Sequence, residues 1–93
     1  MNKRELVSAI SSNLSISDSE AQRFVDSFQK VVINELMSGG EISLIGFGKF
    51  HIRKQRARIG RNPATGEPIK ISAKALPTFT PGKTFKETIR TNV

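Results

Sequence analysis

The stretch Lys49-Phe50-His51-Ile52-Arg53-Lys54-Gln55-Arg56-Ala57-Arg58-Ile59-Gly60-Arg61-Asn62-Pro63-Ala64-Thr65-Gly66 changes character part-way along. Its first four residues alternate polar and apolar, the period of a strand with one buried face. From Arg53 the alternation fails, and the run Arg53-Lys54-Gln55-Arg56-Ala57-Arg58 carries too much charge to bury. A strand that continues through this run must leave the core and project into solvent. Gly60 to Gly66 is dense in turn formers, and Pro68-Ile69-Lys70-Ile71-Ser72 alternates again. The two flanks read as one long hairpin folded back on itself.

Upstream of the hairpin, Glu41-Ile42-Ser43-Leu44-Ile45 is strand-like. Gly46-Phe47-Gly48 then reads as a tight turn whose glycines permit backbone angles that other residues resist. Downstream, Leu76-Pro77-Thr78-Phe79-Thr80 is a return strand, with Pro77 implying a sheet edge or a strand end. Pro81-Gly82 leads into a short final helix, Lys83 to Arg90, with Phe85 and Ile89 on one face.

The first forty residues have a helical period instead. Asn2 with Glu5 three residues on is a capping signal, and Leu6, Ile10 and Leu14, with Val7 beside them, mark one apolar face of a helix expected to fade near Ser12-Asn13. Ser17-Asp18-Ser19-Glu20 is a second capping box, its acids suited to the positive end of the helix dipole. Ala21, Phe24, Val25, Phe28, Val31, Val32 and Leu36 follow as a wide apolar stripe, ended by Gly39-Gly40. That stripe is broad for a helix facing one short neighbour, so it is read as core that includes a subunit interface. The element order is two helices, three strands with a protruding hairpin, and one helix: an α+β fold in one domain spanning residues 1–93.

Composition agrees with a partnered domain. A chain of 93 residues buries a small share of its surface, and with no cysteine neither disulfides nor a thiolate zinc site can reinforce it. Oligomerisation is the remaining way to enlarge the core. No run approaches the roughly 20 apolar residues of a membrane-spanning helix, and the opening Met1-Asn2-Lys3-Arg4-Glu5 does not lead into a signal-peptide apolar stretch. An intracellular, cytoplasmic protein is the expectation. Charge is the sharper signal. Residues 1–48 hold four Lys/Arg against six Asp/Glu, whereas residues 49–93 hold eleven against two, within a net charge of +7. A near-neutral half joined to a strongly basic half describes a folded platform carrying a polyanion-binding element. No basic amphipathic helix with aromatic anchors points to a membrane surface.

The hairpin is that element. A two-stranded ribbon is marginal in water by itself, and one bearing Arg53, Lys54, Arg56, Arg58, Arg61 and Lys70 needs a partner. Guanidinium groups spaced along a ribbon match the repeating phosphates of a duplex, and arginine suits narrow, negatively charged minor grooves. A charged edge that merely discourages sheet-to-sheet aggregation explains a few lysines, but not an arginine-rich run of this length.

Gly46-Phe47-Gly48 with Phe50, Gly60-Arg61-Asn62-Pro63 with Thr65-Gly66, and Phe79-Thr80-Pro81-Gly82-Lys83 together strongly resemble the bacterial HU/IHF family of histone-like DNA-binding proteins, closest to HU. The resemblance covers essentially the whole chain, and the Gly-Arg-Asn-Pro tip is its most specific part. It implies an intertwined dimer with a helical dimerisation base (1–40), a β-saddle (41–81) sending out an arm (about 53–75), and a C-terminal helix (82–93). HU and IHF are themselves standard examples of minor-groove architectural binding, so the roles below follow from resemblance. Arg53, Gln55, Arg56, Arg58, Arg61, Asn62 and Lys70 would be the DNA-binding arm, and Pro63 the intercalating wedge. Lys3, Lys74, Lys83 and Lys86 would contact phosphates from the body. Phe28, Phe47, Phe50 and Phe79 would form the dimer core.

Pro63 suits its implied role on independent grounds: it is rigid, apolar and has no backbone N–H to leave unpaired inside a base step. Position 55 is a departure, because Gln55 stands where many relatives carry arginine; strict alternation would also put Arg56 on the opposite face from Arg53 and Gln55. His51 is the single histidine, without a second ligand nearby in sequence, and reads as structural or exposed. Serines Ser8, Ser11, Ser12, Ser15, Ser17 and Ser19 lack an activating base, and Gly60 with Gly66 is no nucleotide-binding loop. No enzyme, cofactor, metal or small-molecule substrate is expected. The expected partners are double-stranded DNA and a second copy of the chain, in a nucleoid-associated setting. The alternatives are an IHF-like subunit paired with a paralogue and a module for structured RNA.

Overall fold

The computed structural model describes residues 1–93. Helix α1 (Lys3–Leu14) starts where Asn2 Oδ1 accepts the Glu5 N–H at 2.9 Å and Glu5 Oε1 accepts the Asn2 N–H at 3.3 Å, a reciprocal capping box. The helix runs through Ser12-Asn13, where it was expected to fade. It ends at Ser15, whose left-handed backbone (φ 56°) lets the Ile16 N–H donate to the Ser11 carbonyl at 3.0 Å.

Helix α2 (Asp18–Met37) has half of its expected capping box: Ser17 Oγ accepts the Glu20 N–H at 3.1 Å, without a return bond from the Glu20 carboxylate. The Gly40 N–H closes its C-terminus on the Glu35 carbonyl at 3.0 Å, with Gly39 at φ 88°. No helix is long and apolar enough to cross a membrane.

Five strands follow: β1 (Ile42–Leu44), β2 (Gly48–Gln55), β3 (Arg58–Arg61), β4 (Pro68–Ile71) and β5 (Lys74–Pro81), then α3 (Lys83–Asn92). An antiparallel sheet has the order β1-β2-β5, and β3 with β4 forms a separate two-stranded ribbon. Pro77 lies in β5, an edge strand, opposite Ile52. That position removes no ladder bond from the sheet interior.

The two turn glycines before β2 have different jobs. Gly46 has φ 84° and makes the turn, whereas Gly48 is needed for room: a Cβ there would stand 2.6 Å from both the Phe79 ring and the Thr80 carbonyl.

Packing comes in two clusters. Val7, Ala21 and Val25 are buried between α1 and α2, with Ile10 and Ile16 against them. Ser11 is buried there too and satisfies its hydroxyl on the Asp18 carboxylate at 2.5 Å. The second cluster is aromatic. Phe50 meets Phe79 at 4.9 Å and Phe28 edge-on at 6.2 Å, while Phe47 meets both Phe79 and Phe85 at 5.2 Å. Phe85 thus joins the four phenylalanines singled out in the sequence and anchors α3 to the sheet.

Only five of 93 residues are buried. The accessible surface is 7848 Å², against roughly 5,400 Å² for a typical folded monomer of this mass. The radius of gyration is 18.8 Å, against about 12 Å for a globular domain of this length. Part of the excess is the projecting ribbon. Another part is the α2 stripe, which leaves Phe24 59%, Val31 58% and Phe28 41% exposed.

Candidate nucleic-acid interface

Strand alternation gives the three-stranded sheet two unlike faces. Phe50, Ile52, Pro77 and Phe79 share the face that meets α2 through Phe28. Lys49, His51, Arg53 and Gln55 share the other with Lys74, Leu76, Thr78 and Thr80. This second face is open to solvent and leads directly into the ribbon.

The register does not slip along the hairpin. Gln55 pairs with Lys74, two residues on each strand go unpaired, and Arg58 then pairs with Ile71. Arg53 and Gln55 therefore sit at the root of the ribbon, and Lys74 is the cross-strand partner of the uncharged Gln55. Lys74, expected among the body contacts, is a root residue. Arg56 falls in the unpaired gap between β2 and β3, so the alternation expected to set it opposite Arg53 and Gln55 is not imposed on it. Beyond the gap, Arg58 shares a face with Ile69 and Ile71, while Arg61 shares the other with Ile59 and Lys70. Cations stand on both faces of the ribbon.

Asn62 organises the tip. Its N–H donates to the Glu67 carbonyl at 2.8 Å, its carbonyl accepts the Gly66 N–H at 2.7 Å, and its Oδ1 accepts the Ala64 N–H at 2.9 Å. Gly66, at φ 74°, completes the reversal, and the Arg61 guanidinium donates to its carbonyl at 3.4 Å. Pro63 needs no N–H partner and takes the first position of the four-residue loop, exposed to solvent. An apolar ring is thus presented at the end of a cationic ribbon by a turn that is hydrogen-bonded on both sides of it.

On the body, the Gly82 N–H donates to the Phe47 carbonyl at 2.9 Å, which seats α3 on the β1–β2 turn. With Phe85 holding the inner side, Lys83 and Lys86 point outward. Arg90 falls on the same stripe, four residues further on. Arg90 is not among the residues the family resemblance implies, although its i, i+3, i+7 spacing with Lys83 and Lys86 is legible in the sequence. Lys3 is not free: its ammonium lies 2.6 Å from Asp26, both side chains about half exposed. Hydrogen bonds from Lys3, then from the Gln22 amide, hold the Asp26 carboxyl below the usual carboxylate range.

The sequence model of the family described as "Bacterial DNA-binding protein" matches residues 1–90. The chain is 44% identical over 89 residues to DNA-binding protein HU-beta 2 of Neisseria meningitidis, covering 96% of this chain and 98% of that protein. It is likewise 44% identical over 89 residues to DNA-binding protein HU 1 of Bacillus subtilis, covering 96% and 97%. Among solved structures, the Anabaena HU–DNA cocrystal structure superposes with a TM-score of 0.85 at 38% identity, over 96% of this chain and 97% of that one. HU from Thermotoga maritima shares the fold, with a TM-score of 0.67 at 21% identity over 96% and 98% of the two chains.

Proposed function

The chain belongs to the bacterial DNA-binding protein family of HU and IHF, and from that premise we propose that it is a histone-like nucleoid protein that binds duplex DNA with low sequence specificity, bends it, and so contributes to chromosome compaction. It acts as an intertwined homodimer, with residues 1–40 as base, 41–81 as saddle and arm, and 82–93 as closing helix. The observation that carries the reading is the ribbon, with cations on both faces and Pro63 at its end. A ribbon laid in a minor groove has phosphates on either side. Cations on one face alone would serve only one of the two walls.

Arg53, Gln55, Arg56, Arg58, Arg61, Asn62 and Lys70 line the groove in this reading, with Lys74 adding charge at the root. Pro63 enters a base step. Unstacking costs roughly a few kcal/mol per step, offset by the phosphate contacts that bent DNA makes with the body. Lys83 and Lys86 supply those contacts, and Lys3 does so once released from Asp26. The exposed Phe24, Phe28 and Val31 support the homodimer, because an apolar helix face of this extent is stable only when covered. Phe28, Phe47, Phe50 and Phe79 form the shared core.

The chain purified alone, titrated with unrelated short duplexes, tests the proposal. A dimer by sedimentation, with similar affinity for each sequence and a steep salt dependence, is the expected outcome. A chain that dimerises only with a second protein and selects particular sites would establish the IHF-like alternative instead. Preference for RNA of matched length and salt would overturn both.

A further inference from the structure

We propose that Lys49, His51 and Thr80 form a phosphate-binding site on the solvent face of the three-stranded sheet, holding a backbone phosphate on the saddle floor between the body and the arm. The inference rests on the duplex-binding reading above and adds a contact outside the arm and α3.

Lys49 pairs directly with Thr80 and His51 with Thr78, so the three side chains emerge together on the face turned away from α2. His51 Nε2 lies 2.7 Å from Thr80 Oγ1. When Nε2–H donates to that oxygen, the Thr80 hydroxyl hydrogen is free to donate outward. The other ring nitrogen, Nδ1, has no partner within the chain, and in the imidazolium it becomes a second outward donor. An ammonium, a hydroxyl and an imidazolium are all donors, and a phosphodiester oxygen is an acceptor carrying negative charge. The chemistry matches in both hydrogen bonding and sign.

The charged groups around His51 favour the same ligand. Lys49 and Arg53 flank it on its own strand, and Lys74 lies further along β5. Glu41, just before β1, is the carboxylate on this side, and it reaches Lys49 at 3.7 Å with both side chains about half exposed. A pair that long and that wet holds Lys49 only weakly. The opposite face of the sheet carries Phe50 and Phe79, and its one charged residue on β2 and β5 is another cation, Lys54, further along toward the arm. A phosphate seated here stabilises the imidazolium, so duplex and proton bind together by linkage.

Anisotropy titrations of a short duplex at about pH 8 and about pH 5.5, either side of the ordinary imidazole range, test the site. Affinity of the unaltered protein should rise about fivefold per site on acidification. The slope of log affinity against log salt should steepen by about 0.9 for each phosphate gained. His51→Gln can keep the bond to Thr80 but not the charge, so it should match the parent at high pH and lose the rise. His51→Lys should hold the higher affinity at both pH values. Thermal melts of each variant establish that it is folded under both conditions. An equal acid response in the parent and His51→Gln would overturn the site, since the gain would then belong to another group. Failure to bind duplex at either pH, even at low salt, would overturn the duplex-binding reading and the site with it.

Discussion

The body and the ribbon are built on one uninterrupted hairpin register, yet different forces hold them. In the body, β2 and β5 are glued by Phe50, Phe79 and the rings around them. In the ribbon, β3 and β4 contribute no buried residue, and Ile59 stands 77% exposed. There the backbone ladder and the Asn62 turn do the holding. The body therefore depends on apolar burial that one chain leaves incomplete, and the ribbon on local geometry plus whatever it grips. Changes in the two regions should separate stability from binding.

The largest effect should come from the incomplete burial. Phe28 touches Phe50 on one side and is 41% exposed on the other. Phe28→Glu would set a charge in the middle of the α2 stripe and should cost about 3–5 kcal/mol, as for loss of a large core aromatic with an unpaired charge added. Sedimentation should find monomers and circular dichroism a largely unfolded chain. A folded dimer of parental stability would remove α2 from the interface.

Next in size is Pro63→Ala. Stability should change by no more than about 1 kcal/mol, the entropic contribution of a proline at a compatible turn position. Binding to linear duplex at low salt should be nearly unchanged, while preference for nicked duplex should fall roughly tenfold as the wedge is lost. Cyclisation or energy-transfer assays measure the bend, and an undiminished bend would leave Pro63 a turn residue only. Arg58→Ala should be milder: no loss of bending, but a salt slope shallower by about one. An unchanged slope would take Arg58 off the phosphates.

How far the sequence foretold each region follows the same division. The ribbon was readable because its signals are local: alternation fails at Arg53, and Asn62, Pro63 and Gly66 carry the turn in their own chemistry. The breadth of the α2 stripe likewise announced an uncovered face. Features that depend on how distant segments meet were not readable. Gly48 looked like a turn glycine and is a close-approach glycine, because the Phe79 ring arrives from thirty-one residues away. Arg56 was assigned a face by a periodicity that lapses where the sheet gives way to the ribbon. Lys3 looked like a free cation until α2 brought Asp26 to it.

That last pair lies wholly within the body, between α1 and α2, and should give the smallest effect. The Asp26 carboxyl is held below its ordinary range by Lys3 and Gln22, so its contribution to stability is complete above the unfolded carboxylate pKa, about 3.9. It is lost as pH falls through the lower folded-state value. Asp26→Asn should flatten this part of the acid limb in thermal melts while leaving the neutral-pH fold intact. It should also release the Lys3 ammonium. If Lys3 then meets a flanking phosphate, low-salt affinity for duplexes long enough to reach the body should rise about twofold, with no change for duplexes spanning the arms alone. A rise seen equally on both lengths would mean only that a negative charge had been removed from the protein. Lys3 would then have no phosphate of its own.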